Sequence, residues 1–255
     1  MTNQLLVIIS LFAASASFAT GADKASYPPV RFYVANFPPY AFINPVTPTG
    51  FFVDIIKAMA KHADHNGSLD IVPWKRAQRE LLELKDKSPK LIFPLIRSTD
   101  RESQYRWIAE VFTDDLVLIV RNSEKRDIKN LSDAVGLKIG VVGGSALLTE
   151  LQQDGKHQID VAPDIESCAK KLNLGRIDAW YVSRWVGVST FKHIGMDAKN
   201  FRVSPAFHRM PISLAASLDT PDEVIKLWEK AFKAIKASGE YDTILKKWKE
   251  STGDS

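Results

Sequence analysis

A guanidinium presents a planar fork of N–H donors that can grip a carboxylate through two bonds, and an aromatic ring offers apolar area together with a face for planar or cationic groups. This chain carries both kinds of group near turns: Phe37 and Tyr40 flank a double proline, Trp74 precedes Lys75 and Arg76, and Arg101 closes Ser98-Thr99-Asp100-Arg101. Phe37 and Tyr40 suit either a ligand wall or a core beneath the turn, since aromatic residues are commonly buried. Gly143-Gly144-Ser145 stands between an apolar β-branched run and a helical segment, where free backbone N–H groups could receive an anion. It lacks the lysine and hydroxyl ending of a nucleotide loop. Other chemistries find little support. There is no Gly-x-Ser-x-Gly elbow. The single cysteine, Cys168, falls on an apolar helical stripe and excludes both an internal disulfide and a multi-thiolate zinc site. His62 and His65 are three apart but close an amphipathic helix beside Lys61 and Asp64, so a solvated helix end is expected there and no metal. Asp114 and Asp115 are neighbours in a strand and point to opposite faces, which predicts a solvated pair and not a catalytic dyad. No catalytic residue, metal or cofactor is expected.

The elements that must position these groups alternate. Val30 to Ala35, Leu69 to Pro73, Leu91 to Leu95, Leu116 to Val120, Lys138 to Val142 and Ile177 to Val182 read as buried strands. Between them, Ile55, Ile56, Met59, Ala60 and Ala63 recur at helical spacing behind Asp54, Arg76 to Leu84 forms a second helix, and Ile165, Cys168, Ala169 and Leu172 form a stripe ending at Gly175. Thr220-Pro221-Asp222-Glu223 predicts a helix capped by Thr220. Strand and helix in alternation imply largely parallel open sheets flanked by helices. Residues 5–18 form an apolar core followed by small residues, with no charged side chain before Asp23, which predicts a cleaved signal peptide over residues 1–22 and a periplasmic product. The formal net charge of +4 is spread along the chain and is too mild to imply nucleic acid.

Seven pieces, in order, resemble the bacterial solute-binding protein family 3, the extracytoplasmic receptors that deliver polar amino acids to ABC importers. They are Phe37-Pro38-Pro39-Tyr40, Gly50-Phe51-Phe52-Val53-Asp54, Pro73-Trp74-Lys75-Arg76-Ala77, Ser98-Thr99-Asp100-Arg101, Gly140 to Ser145, Gly175-Arg176-Ile177-Asp178-Ala179, and Gly239 to Ile244 with Lys247-Trp248. Each piece is weak alone; the ordered set is specific and covers nearly the whole chain after residue 22. The resemblance implies a two-lobed α/β fold of the type II periplasmic binding kind. Residues 27–113 and 210–255 would form the first lobe and residues 114–209 the second. A small-molecule ligand would lie between the lobes, an inner-membrane ABC permease would be the partner, and the receptor would be a monomer. The same fold hosts cyclohexadienyl dehydratase-like enzymes and ligand-sensing subunits, which are the alternatives.

Carried over residue by residue, the resemblance makes Arg101 the clamp for a ligand carboxylate. Phe37, Tyr40 and Trp74 become walls, and Gly144 and Ser145 close on the anion from the second lobe. Ser98, Arg76, Tyr181 and Ser183 complete the expected site. Two positions depart from the family. Ile96 stands where a hydroxyl residue usually helps hold the ligand's ammonium, and Ser183 where an acidic residue usually pairs with it. Because a buried ammonium without a carboxylate is costly, these losses point to an anionic or neutral solute in preference to a standard zwitterionic amino acid.

Overall fold

The computed structural model describes residues 29–44, 46–65, 67–83 and 88–252. The expected signal peptide therefore lies outside the described residues. In chain order the strands and helices are β1 (Val30–Ala35), β2 (Phe42–Asn44), β3 (Thr47–Thr49), α1 (Phe51–Ala63), β4 (Gly67–Val72), α2 (Trp74–Leu82), β5 (Lys90–Ile96) and β6 (Arg106–Arg121). There follow β7 (Lys138–Val142), α3 (Ala146–Asp154), β8 (Gln158–Ala162), α4 (Ile165–Asn173), β9 (Ala179–Ser183), α5 (Arg184–His193), β10 (Phe201–Val203), β11 (His208–Ala216), α6 (Asp222–Ala237) and α7 (Glu240–Thr252).

The main sheet runs β4-β1-β5-β11-β6-β9-β7-β8, with β10 added on β6. Two parallel groups, β4-β1-β5 and β9-β7-β8, are joined through β11 and β6, which are antiparallel to their neighbours. β6 accounts for the join: sixteen residues long, it pairs with β11 from Arg106 to Leu116 and with β9 from Leu116 to Val120. At one end of the sheet α1 buries Ile55, Ile56 and Met59, as the spacing behind Asp54 predicts, with Ala60 and Ala63 only partly buried, and adds Phe51 and Phe52 from its first turn. Asp54 has a second role, accepting from Lys247 Nζ and Trp248 Nε1 at 2.8 Å each and so tying the last helix back onto the first. Across the sheet, α4 buries Ile165, Cys168, Ala169 and Leu172 as the stripe predicts.

The strand starts agree with the sequence reading to within about two residues, except that the Leu116–Val120 run is the far half of β6. The helix after Thr220 begins one residue later than expected, at Asp222, with Pro221 at the capping position. Thr220 is buried and its hydroxyl meets that of Ser217 at 3.0 Å, so the side chain is already engaged and does not cap the helix. α2 starts at Trp74, two residues before the predicted Arg76.

Candidate functional site

The loop from β7 to α3 crosses to face α2 and the end of β5. Gly144 has φ of +76°, and a Cβ there would come within 2.9 Å of Gln78 Oε1 on α2. L side chains rarely adopt such a conformation, whereas glycine does so freely. Glycine thus lets the loop approach with its carbonyl exposed, and that carbonyl accepts two donors from across the gap: Trp74 Nε1 at 3.0 Å and Arg101 Nη2 at 3.0 Å. Ser145 caps α3 by accepting from Leu148 N at 3.2 Å while its hydroxyl donates to Val142 O at 2.7 Å. A serine at this position satisfies one of the backbone donors that a helix start leaves open.

Beneath this bridge lies a cavity of about 80 Å³. Phe37, Tyr40, Trp74, Arg101, Ser145, Tyr181 and Ser183, all singled out from sequence, line it. Most of the remaining wall is aliphatic, including Ile96, Leu116, Val142, Leu147, Val186 and Ile212. Arg101 is only 6% exposed, and burial lowers its pKa. A guanidinium nevertheless remains protonated at any physiological pH. Its second donor, Nη1, reaches Ile96 O at 3.2 Å. No carboxylate forms an ion pair with it among the described residues, so a buried positive charge faces an apolar cavity, bonded to two backbone carbonyls, with Tyr105 and Asp100 acting on it electrostatically without an ion-pair contact.

The other buried charge in the wall is Asp114, 7% exposed. Tyr40 Oη donates to its Oδ2 at 2.5 Å, the Trp185 N–H at the start of α5 donates to the same oxygen at 3.3 Å, and the Asp115 N–H donates to Oδ1 at 2.8 Å. Burial pushes its carboxyl up to about 6, against the lowering effect of these bonds and of the Ser183 hydroxyl. This corrects the expected solvated pair. The alternation of faces holds, and Asp115 does point outward to Arg184 and Arg209 at 3.5 and 3.4 Å, but the opposite face of β6 is the cavity wall. What the sequence could not reveal was that β6 is flanked on that face by Tyr40 and α5.

Four further expectations need placing. Arg76 does not reach the cavity: its side chain is 57% exposed on α2 and lies 3.5 Å from Glu80, one helical turn on, because Trp74 and Ala77 take the inward face. Ser98 also lies outside the lining residues, its hydroxyl donating to Asp100 at 2.6 Å. Gly144 contributes its carbonyl to the bridge and is not part of the cavity wall. Tyr181 lines the cavity with its ring while its hydroxyl donates to Glu150 at 2.9 Å, and burial, together with that acceptor, raises its pKa. Arg97, next to Ile96 at the end of β5, turns outward onto Glu102.

The weaker candidates resolve simply. Cys168 is fully buried, and burial pushes its thiol up to about 12, which makes it a poor nucleophile. His62, exposed near the end of α1, has its Nε2 3.0 Å from Glu240 on α7, whereas His65, just past the Asp64 that ends α1, buries its Nε2 and sets its ring 6.0 Å from that of Trp228, so the expected solvated helix end holds for His62 and not for His65. Asp178 accepts from Lys138 N at 2.9 Å, a structural bond at the edge of β7.

This architecture recurs in solved structures. An ancestral arginine-binding protein bound to arginine superimposes with a TM-score of 0.76 at 22% identity, covering 87% of this chain and 97% of that one. A histidine kinase sensor domain with similarity to periplasmic binding proteins gives 0.79 at 16% identity, covering 87% and 95%. In sequence, the probable amino-acid-binding protein YxeM of Bacillus subtilis is 25% identical over 215 residues, 82% of this chain and 79% of that protein. The profile of one family runs through β1 to α7, matching residues 30–251, and with it the ordered motifs, the two parallel strand groups and the cavity between them have a single explanation: the chain belongs to the bacterial extracellular solute-binding proteins, family 3.

Proposed function

We propose that this solute-binding protein traps a small organic carboxylate between its two lobes and presents it to an ABC permease in the inner membrane. The observation that carries this reading is Arg101, a buried guanidinium that lines an apolar cavity and has no carboxylate partner among the described residues. A ligand carboxylate would supply that partner and replace weak carbonyl dipoles with a charge-assisted pair. Phe37, Tyr40 and Trp74 from the first lobe, and Ser145, Tyr181 and Ser183 from the second, would form the walls. The lobes divide at 113/114 and 209/210, within β6 and β11, so those strands are the crossings about which closure occurs. Relatives named for binding amino acids, cystine and histidine support a ligand of this size and polarity. The signal-like residues 1–22 support an exported, periplasmic location, and the family resemblance supports a monomeric receptor.

The test is a calorimetric screen of the purified protein against pairs of small carboxylates and their primary amides. Saturable binding of at least one carboxylate, with no response to its amide, is expected. Equal binding of acid and amide would contradict the clamp. Asp114 favours a second reading, because a buried carboxyl pushed up to about 6 in a cavity is what acid-base catalysis needs. Incubation with prephenate and arogenate separates the two: the receptor returns them unchanged, and turnover would make the protein a dehydratase.

A further inference from the structure

Apart from Arg101, one side chain in the cavity wall carries a buried charge that no opposite charge answers among the described residues. We propose that Asp114 accepts the ammonium group of the ligand, so that the cavity takes a molecule with a carboxylate and an ammonium on an apolar body. The proposal rests on the carboxylate reading of Arg101 and adds the second pole.

Register places the group. Leu116 on β6 pairs with Ser183 on β9, and Asp114, two residues before Leu116, shares its face. That face is the cavity, which both residues line. All the groups turned toward Asp114 from the elements around it are neutral: the Tyr40 hydroxyl from the first lobe, the Ser183 hydroxyl from the end of β9, the Trp185 N–H from α5 and the Asp115 N–H from β6 itself. These bonds solvate the carboxylate, and none neutralises it. Its neighbour Asp115 draws the nearby cations, Arg184 and Arg209, to the other face.

The remaining polar side chains of the wall are already occupied within the protein. Trp74 is bonded to Gly144, Ser145 to Val142 and Leu148, and Tyr181 to Glu150. The rest of the wall is mostly aliphatic, so a second polar group on the ligand would find few partners. A ligand with only a carboxylate would satisfy Arg101 and leave Asp114 a buried anion. One with a polar side chain, such as arginine or histidine, would bury that side chain against Leu147, Val186 or Ile212 at a cost. Ser183 and Ile96, which read in sequence as the loss of an ammonium site, are then half of a relocation: the carboxylate stands not at the end of β9 but on β6, two residues from Leu116, which pairs with Ser183.

The experiment titrates the full protein with L-leucine, 4-methylpentanoate, L-phenylalanine and 3-phenylpropanoate, and with L-arginine. Each apolar amino acid differs from its partner acid only in the ammonium. The wild type should prefer at least one of these amino acids over its partner acid by about tenfold or more, as expected where a buried polar group is left unpaired, and should bind that amino acid more tightly than L-arginine. Asp114→Asn should reduce the preference to within about threefold. A preference that survives Asp114→Asn, a wild type that binds the deaminated acids as well or better, tighter binding of L-arginine, or binding of none of the apolar probes would overturn the proposal. Should Asp114→Asn fold poorly, the wild-type ratio alone still decides. Arg101→Ala reports on the underlying reading separately: loss of binding for both members of a pair supports the carboxylate clamp, whereas retained binding with the ammonium preference intact would remove the clamp and leave Asp114 standing.

Discussion

At Asp114 the cost of burying a charge becomes measurable without any ligand. The carboxyl moves from its ordinary 3.8 to about 6, so the native state holds its proton more tightly than the unfolded chain does. The sign follows from linkage: between about pH 4 and pH 6 the folded protein carries the extra proton, and this group's contribution to stability falls as pH rises through that window, by on the order of 3 kcal/mol in all. Chemical denaturation at pH 4.5 and pH 7.5 should show Asp114→Asn lacking that part of the wild-type slope. An identical pH dependence in both proteins would mean that Asp114 is solvated. Cys168 supplies a second check at this scale. Burial holds its thiol at about 12, so Ellman's reagent should label it in denaturant and leave it essentially unlabelled in the native protein. Rapid native labelling would contradict the packing of α4. Neither residue was fully legible in the sequence. Cys168 could be placed because its helical stripe repeats; Asp114 could not, because alternation says that two neighbours part but not which face of β6 is buried, and that depends on Tyr40, 74 positions away.

Among the elements, the β7–α3 loop carries the most specific claim. Its Gly144 carbonyl joins Trp74 of α2 to Arg101 beyond β5, and glycine both takes the positive φ and leaves out the Cβ that would lie 2.9 Å from Gln78 Oε1. Gly144→Ala should cost about 1–2 kcal/mol at this conformation, felt as roughly a tenfold loss of affinity for the cavity ligand. Gly155→Ala, at φ of +68° where the nearest atom is 4.0 Å away, carries the same backbone strain without the crossing and should leave affinity within about twofold. Equal losses in both would remove the bridge from the account. Arg76→Ala belongs here too: since α2 turns that side chain to Glu80, binding should be unchanged, and a large loss would return it to the site. The helices and strands themselves were readable from hydrophobic spacing, within the limits that the Thr220 cap shows. A threonine before proline signals a helix start, yet its hydroxyl is engaged by Ser217, a contact between neighbours in a turn that the capping pattern does not encode. Arg76 and Ser98 failed for a related reason: motif order fixes where a residue falls in the chain, while the face it presents is fixed by what packs beside it.

Over the whole molecule, the sheet order explains why the site is a joint and not a surface. Within the sheet the two parallel strand groups are joined through β6 and β11, and α7 ties back to both sides, to Asp54 of α1 through Lys247 and Trp248 and to Trp185 of α5 through Thr252 at 2.7 Å. A ligand shifts such a molecule toward the closed arrangement only in proportion to the contacts it makes with both lobes. Trp74, which donates across the gap, should therefore report closure: its fluorescence should change on saturation in the wild type, and that change should be missing in Trp74→Phe. The net charge of +4 says nothing of the cavity, whose wall holds two buried charges of opposite sign, Arg101 and Asp114. The most direct measurement of the central claim is calorimetric titration of Arg101→Ala beside the wild type with whichever carboxylate the wild type binds. The account predicts a folded variant, judged by circular dichroism and melting, whose affinity is weaker by at least about a hundredfold, as expected for a buried charge-assisted pair. A folded variant that binds within a few-fold of the wild type would contradict it.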